Sequence, residues 1–488
     1  EDVPADPSNY RDLLGTLQPG DTLHLAAGTY TDTLPISGLN GSESAWITIT
    51  GPESGEPAVI VADPGPCCNT VEIADSSYLV LRKLTIDGND VDGAFGISAK
   101  SGVVHHIRIE DNELINHDTS QQNVGISTKV PTWGWEIRRN RIVGVGTGLY
   151  LGNSDGTEPF IGGLIEHNLV KDSIGYSMQI KWQLPRPNVS GMPTDPVSTI
   201  VRHNVFIKND VASPDGDRPN LLVGGFPDSG PGSEDRYEIY GNFFFHNPRE
   251  ALLQVSGRVS IHDNIFVDGA TNAITLADHD LPLMQAFVYN NTMYSVTGGI
   301  AFGSAAPQGD AVFGNLVFSA NPISGGIGDE RDNIVAGVAE AAQYVTAPSL
   351  MLGQMDFYPL VGGACQGSAL DMSKVVTDVD HDVDFNGTAK AGFTFRGAYA
   401  GEGENPGWQL TDDIKQGGGM GAGSGGASTG SGAGGEASSS GAGGNAADET
   451  GGGCACRASR AENEWLWSFS ALFIALRRKK RQSCRYGH

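Results

Sequence analysis

Lysines recur at one kind of place in this chain. Lys100 closes the segment GISAK, Lys129 closes GISTK and Lys181 closes MQIK. Aligning these look-alike segments puts three ammonium groups at one strand end. Two long insertions follow at once, residues 182–199 and a stretch from about 209 to 236. They bring Trp182, Arg186, Arg202, His203, Lys208 and Arg218 to the same region. Arginine clamps a carboxylate through its planar fork, an indole stacks on a sugar ring, and a lysine with a depressed pKa is a base. Such a set suits a sugar chain bearing carboxylates, with Trp182, Arg202, His203, Lys208 and Lys129 as its binding residues. A second cluster, Asp278-His279-Asp280, ends the segment NAITLA three repeats later, with Glu250 and His246 on preceding repeats. Two carboxylates on one side are what glycoside hydrolysis uses, so this is the alternative acidic site. The plain alternatives are solvated strand-end lysines and a hydrogen-bonded corner.

Those residues hang on a repeat. Eight segments share an apolar residue, two mostly polar residues, an asparagine and usually an apolar pair: their asparagines are 112, 140, 168, 204, 242, 264, 291 and 315. The shortest spacing is 22 residues and the longest 38. A fixed minimum with loops added outward is the mark of a solenoid, where each repeat buries its apolar face on the next. β-Branched residues with period-two alternation between Gly, Asn and Asp turns make the segments strands. Asparagine at one turn position is expected to adopt the left-handed conformation and to stack along the axis. Leu84 occupies the asparagine's place one repeat earlier, and AWITITG and EPAVIVAD supply the opening coils. The expected fold is all-β, a right-handed parallel β-helix of about ten coils, roughly 50 Å long at the spacing of parallel strands. Tyr10, Leu13, Leu14 and Leu17 sit in a helix-like stretch that caps its open end.

The expected organisation is a cap and first strand (1–30), the β-helix (31–340), a closing segment (341–415), a Gly/Ser/Ala-rich linker (416–453) and a terminal anchor (454–488). The linker has almost nothing to bury and reads as a flexible tether. The formal net charge is −26, and without the basic tail it is near −32. Such a surface repels nucleic acid and anionic lipid, which excludes both as partners. A polysaccharide remains, with the membrane met only through the C-terminal segment, and a monomeric rod is expected. A first residue other than methionine fits an export signal already removed. Cys67, Cys68 and Cys365 show no zinc spacing; one of the vicinal pair could bridge to Cys365 in an oxidising compartment. The acid-rich TDVDHDVDFNG (377–387) lacks the spacing and closing glutamate of an EF-hand loop. No P-loop, GxSxG, HExxH or dinucleotide fingerprint occurs.

After the linker come Cys454 and Cys456, an apolar run (465–476) and the basic RRKKR (477–481). Twelve apolar residues fall short of the roughly 20 that a free-standing span needs. This cysteine, apolar and basic order resembles the tripartite sorting signals of myxobacterial surface proteins, the MYXO-CTERM type. That resemblance implies processing near Cys454 and Cys456 and display on the cell surface, tethered at the C-terminus. The QSCRYGH after the basic run departs from the pattern. The opening PGDTLHLAAGTYTDTLPISGLNGSESAWITITG resembles the first coils of the pectate-lyase-like β-helix superfamily, including its chondroitinase B and alginate lyase group. The resemblance implies β-elimination, with a lysine and an arginine at strand ends of adjacent coils and calcium held by nearby acids. Lys181 falls where that arrangement has a basic residue, as the base, with Arg218 or Arg186 as carboxylate neutraliser. The neighbouring coil departs, offering Gly152-Asn153, and no acidic pair is evident beside it. A lyase, a non-catalytic adhesin or surface rod, and a glycoside hydrolase all stay open.

Overall fold

The computed structural model describes residues 1–65 and 69–416, which fall within one compact unit. The chain winds through three long sheets whose strand pairings are all parallel. The first sheet runs from Asp2–Ala5 to Glu330–Arg331, the second from Gly28–Tyr30 to Ile334–Ala336, and the third from Leu34–Ser37 to Asn321–Ser324. This is the parallel β-helix that the repeats dictate. It has more coils than the ten expected, since the second sheet alone has 12 strands. The extra strands at both ends lack the full repeat, because a terminal coil has only one neighbour to match.

The inward side chains stack in columns. In the first sheet Leu81, Ile109, Ile137, Ile165, Val201, Ile239 and Ile261 lie on consecutive coils and are all fully buried. In the second, the rings of Phe206, Phe244 and Phe266 stack at 5.1 and 4.7 Å. Apolar area removed from water in this way is the main stabiliser of a solenoid. At the N-terminal end the short helix Tyr10–Leu14 buries Tyr10 and Leu14, and Leu17 follows them under cover.

The asparagines form one continuous ladder. Each gives its backbone N–H and its Nδ2 to the Oδ1 of the next, at 3.1 Å from Asn112 to Asn140 and near 3.0 Å thereafter. Asn333 adds a ninth rung beyond Asn315. The expectation that these asparagines take the left-handed conformation is corrected. The left-handed residue is the one before each: Asp111, Arg139, His167, His203, Asp263, Asn290 and Asp332, with glycine at 241 and 314. Asparagine is there because its amide satisfies buried backbone groups of the preceding coil and of its own, as Asn140 does for the Asn112 N–H and for the Ile109 and Arg138 carbonyls, which no apolar residue can do.

The closing segment lies along the flank of the rod. A 3-10 turn (Val338–Gln343) and an antiparallel pair, Val345–Ala347 with Asp356–Pro359, pack on the second sheet. The chain then runs back toward earlier coils, pairing Asp412 with Lys171 (2.8 Å) and Asp413 with Arg141 (2.6 Å). Its last buried residue, Lys415, donates to the carbonyls of Gly241 (2.7 Å) and Phe385 (2.5 Å). Cys365 is buried in this segment with its Sγ 3.6 Å from the Tyr344 carbonyl. Cys67, Cys68, Cys454 and Cys456 lie outside the described residues, as do nearly all of the linker and the whole anchor. No helix among the described residues is long and apolar enough to cross a membrane.

Candidate functional site

The third sheet carries the lysines. Its strands Phe95–Ser101, Val124–Thr128, Thr147–Leu151, Met178–Ile180 and Leu221–Val223 are in register, with Ala99 beside Thr128 and Leu151 beside Ile180. One position on, Lys100, Lys129, Gly152, Lys181 and Gly224 share a strand-end row. The alignment of the three lysines is therefore real. Lys100 stands at the edge of the set, 3.7 Å from Glu72.

Lys129 and Lys181 are two coils apart, about 10 Å at the parallel-strand spacing. Gly152 lies between them with φ at +89°, and a Cβ there would press to 3.3 Å on the Lys181 side chain. The Nζ of Lys129 sits 3.7 Å above the ring of Tyr150, which projects from the intervening strand. Burial, and then the charge of Lys181, push the Lys129 pKa down to about 8, against the pull of the ring face, which favours the ammonium. Burial also lowers Lys181, and Asp280, 4.0 Å away, opposes that shift. Burial pushes the Tyr150 hydroxyl up to about 12 and raises that of Tyr176. Arg218 leans on the Tyr176 ring at 5.5 Å, and its charge is felt by Lys181.

Two clusters that look separate along the chain are one in space. Asp278 is three coils from Lys181, yet the turn after it folds back so that Leu281 packs on Gly225. Asp280 then reaches Lys181 while its Oδ2 lies 3.1 Å from His279 Nδ1. His279 and Lys181 hold the Asp280 carboxyl below its usual range. Asp278 accepts the Leu283 N–H at 2.9 Å and so closes its own turn. Asp278 thus serves its turn, while Asp280 is held between His279 and Lys181.

Other expected residues are placed differently. Arg186 is buried in an ion pair with Asp235, its side chain only 2% exposed against 12% for Lys181, so it leaves the candidate set. Arg202 belongs to the first sheet and is held by Glu166 (2.8 Å) and Asp380 (3.2 Å). His203 is covered by Lys415, whose Nζ is 3.2 Å from it. Neither belongs to the lysine row, because Arg202 ends the first-sheet strand Ser198–Arg202 and His203 forms the turn that follows it. Lys208 is buried and donates to the carbonyls of Gly175 (2.7 Å) and Arg218 (3.3 Å), anchoring the loop that presents Arg218. Trp182 turns its indole onto Gly156, whose φ of +76° and missing Cβ make room for it. Tyr150 and Tyr176 were missed. The segment GLYLG, which gives Tyr150 an outward position between two lysine-bearing coils, was the available signal.

Calcium, which the sequence resemblance implies, finds no fit. Among the described residues no group of three or more His, Cys, Asp or Glu side chains is placed to hold a metal ion. Three of the four acids of 377–387 are spent otherwise: Asp378 on Arg236 (2.8 Å), Asp380 on Arg202, and Asp384 on the backbone N–H groups of Asn386, Thr388 and Ala400. Two concavities of the surface lie elsewhere, one around Lys390 and Phe395 and one around Lys83, Arg139 and Ile414. The lysine row lies along a sheet face and lines neither concavity, which suits a polymer better than a small enclosed ligand.

No family model matches this chain, and no curated protein matches it. Among solved structures it is similar to an alginate lyase from Paenibacillus sp. str. FPU-7, at 15% identity over 69% of this chain and 99% of that one, with a TM-score of 0.43. It is likewise similar to the pectate lyase Pel9A, at 12% identity over 82% and 96%, with a TM-score of 0.45. A third is the lacto-N-biosidase of Eubacterium ramulus, at 13% identity over 66% and 63%, with a TM-score of 0.36.

Proposed function

We propose that the lysine-bearing face of the third sheet binds an acidic polysaccharide and cleaves it by β-elimination at a uronate. The observation that carries this reading is Lys129. It is a half-buried lysine with a pKa pushed down to about 8, over the ring of Tyr150 and two coils from a second cation, Lys181. Elimination requires a base for the proton α to the carboxylate, a cation for the charge that develops on that carboxylate, and an acid for the departing oxygen. Lys129 takes the proton. Lys181, kept charged by Asp280, neutralises the carboxylate together with Arg218. Tyr150 protonates the leaving oxygen as the C–O bond breaks and its neighbour becomes a double bond. The base role thus moves from Lys181, where the sequence suggested it, to Lys129.

The test is product formation on uronate polysaccharides, with and without calcium, read as the ultraviolet absorbance of unsaturated uronate beside a count of reducing ends. Absorbance that disappears in both Lys129→Ala and Lys129→Arg supports the reading, since arginine keeps the charge but cannot act as a base. Reducing ends without absorbance would replace elimination by hydrolysis. Binding without either product would make the protein a carbohydrate-binding rod. We further infer an exported, surface-tethered protein from the sequence of residues 416–488. Release of the rod by protease from intact cells supports this, and retention inside them overturns it.

A further inference from the structure

The closing segment sets two lysines into one row of the rod. The row is the corner position before each asparagine, where His167, His203, Gly241 and Asp263 stand on successive coils. Lys390 ends on the Asp263 carboxylate at 2.7 Å. Lys415 ends over Gly241, where the missing side chain leaves room: a Cβ there would stand 2.4 Å from His203 Nδ1. Each of its three N–H donors has an acceptor, the carbonyls of Gly241 (2.7 Å) and Phe385 (2.5 Å) and His203 Nδ1 (3.2 Å). One lysine therefore meets an acid and the other a base.

An ammonium that donates to Nδ1 needs that nitrogen bare, so His203 docks neutral. A proton on it would set two cations 3.2 Å apart in a buried site. The ring's other neighbours give that charge no support. His167 stacks on it at 5.0 Å from the preceding coil, and the Tyr240 ring meets it edge-on at 5.7 Å from the next. Arg202 precedes it on its own strand, already paired with Glu166 and Asp380. Burial, then Lys415, His167 and Arg202, hold His203 well below the usual histidine range. Asp384 and Asp263 favour the Lys415 charge from a distance, the first held by backbone N–H groups and the second by Lys390. The exposed pairs of Asp412 with Lys171 and Asp413 with Arg141 add little. We propose that Lys415 and His203 form an acid-opened latch, in which protonation of His203 expels the ammonium and frees residues 404–416 from the rod.

A histidine whose docked pKa is depressed contributes fully above its free value, about 6.5, and loses that contribution as pH falls below it. Burial raises the carboxyls of Asp263 and Asp384 instead, so acid does not loosen them and the opening stays at the Lys415 end. His167 gives its Nδ1 to the Lys415 carbonyl at 2.7 Å, a bond its protonated form keeps. The experiment is hydrogen exchange of the full chain by mass spectrometry, from about pH 7.5 to about 4.5, corrected for intrinsic rates. Peptides of 404–416 are expected to open up to tenfold more per pH unit below about 6.5, while strand peptides stay protected. His203→Gln, which accepts from Lys415 but takes no proton, should hold 404–416 closed at about pH 4.5. Lys415→Met, which removes the cation, should make exchange there independent of pH whatever its level. Unchanged protection of 404–416 in acid overturns the latch. So does an acid response that survives in both variants, or one shared by the strand peptides.

Discussion

The first and third sheets carry the same kinds of charged residue on their outer faces and use them in opposite ways. On the first, Arg108 meets Glu136 at 3.0 Å, Arg138 meets Glu110 at 2.8 Å, and Arg202 meets Glu166 at 2.8 Å, so the face is an ion-pair ladder along the axis. The closing segment adds Asp378 and Asp380 to it and covers part of it. On the third, Lys129 lies over a ring, with glycine on the next coil. Charge that is paired across coils holds a rod together. Charge that is desolvated and left short of partners is poised to meet a ligand.

Four substitutions break or sharpen this contrast. The largest effect is expected from Arg186→Ala, which strands the buried Asp235 and costs about 3–5 kcal/mol, read as a fall in the chemical-denaturation midpoint. An unchanged midpoint would return Arg186 to the list of ligand-binding groups. Next is Lys129→Ala, expected to lower kcat/KM about 100-fold or more while Tm stays within a degree or two of the parent. A large drop in Tm would make Lys129 a structural residue like those of the first sheet.

The third concerns pH. Glu238, on the covered part of the first sheet, has its pKa pushed up to about 8 by burial and then by Asp378, against Arg236 and the Val379 N–H. A raised carboxyl pKa means that the folded protein holds a proton that the unfolded chain has released. Its contribution is complete at low pH and is lost as pH rises through about 8. Glu238→Gln should therefore flatten the decline in stability between pH 5 and 8, by on the order of 2 kcal/mol. Parallel pH profiles for the two proteins would show that Glu238 is ionised throughout. The smallest effect is expected from Arg139→Ala. Its partners Asp111 and Glu110 sit at a half-exposed corner, and the loss should stay below about 1 kcal/mol by denaturant titration. A larger loss would show that the corner network is cooperative.

The legible part of the molecule is the part that repeats. The asparagine series from Asn112 to Asn315 and the lysine alignment follow from residue types recurring at a period, because identical coils impose identical environments. The candidate site was half legible. Lys129, Lys181 and Arg218 were found from strand ends and loop length. Arg186, Arg202 and His203 were drawn in with them, since a long insertion tells nothing about which corner it leaves or what it buries. Tyr150 was missed as an ordinary β-former in a strand.

By itself, then, the sequence determined the solenoid, the register of its strands and the row on which the lysines stand. These are local and periodic properties, carried by alternation and by the asparagine that each coil hands to the next. The tertiary structure alone decided that the turn after Asp278 folds back across three coils to bring Asp280 to Lys181. It decided too that the closing segment covers parts of the first and second sheets. Loops obey no period, and their contacts depend on where the chain returns in space. For that reason the setting of Lys129, over the Tyr150 ring, appears only once its neighbours are in place.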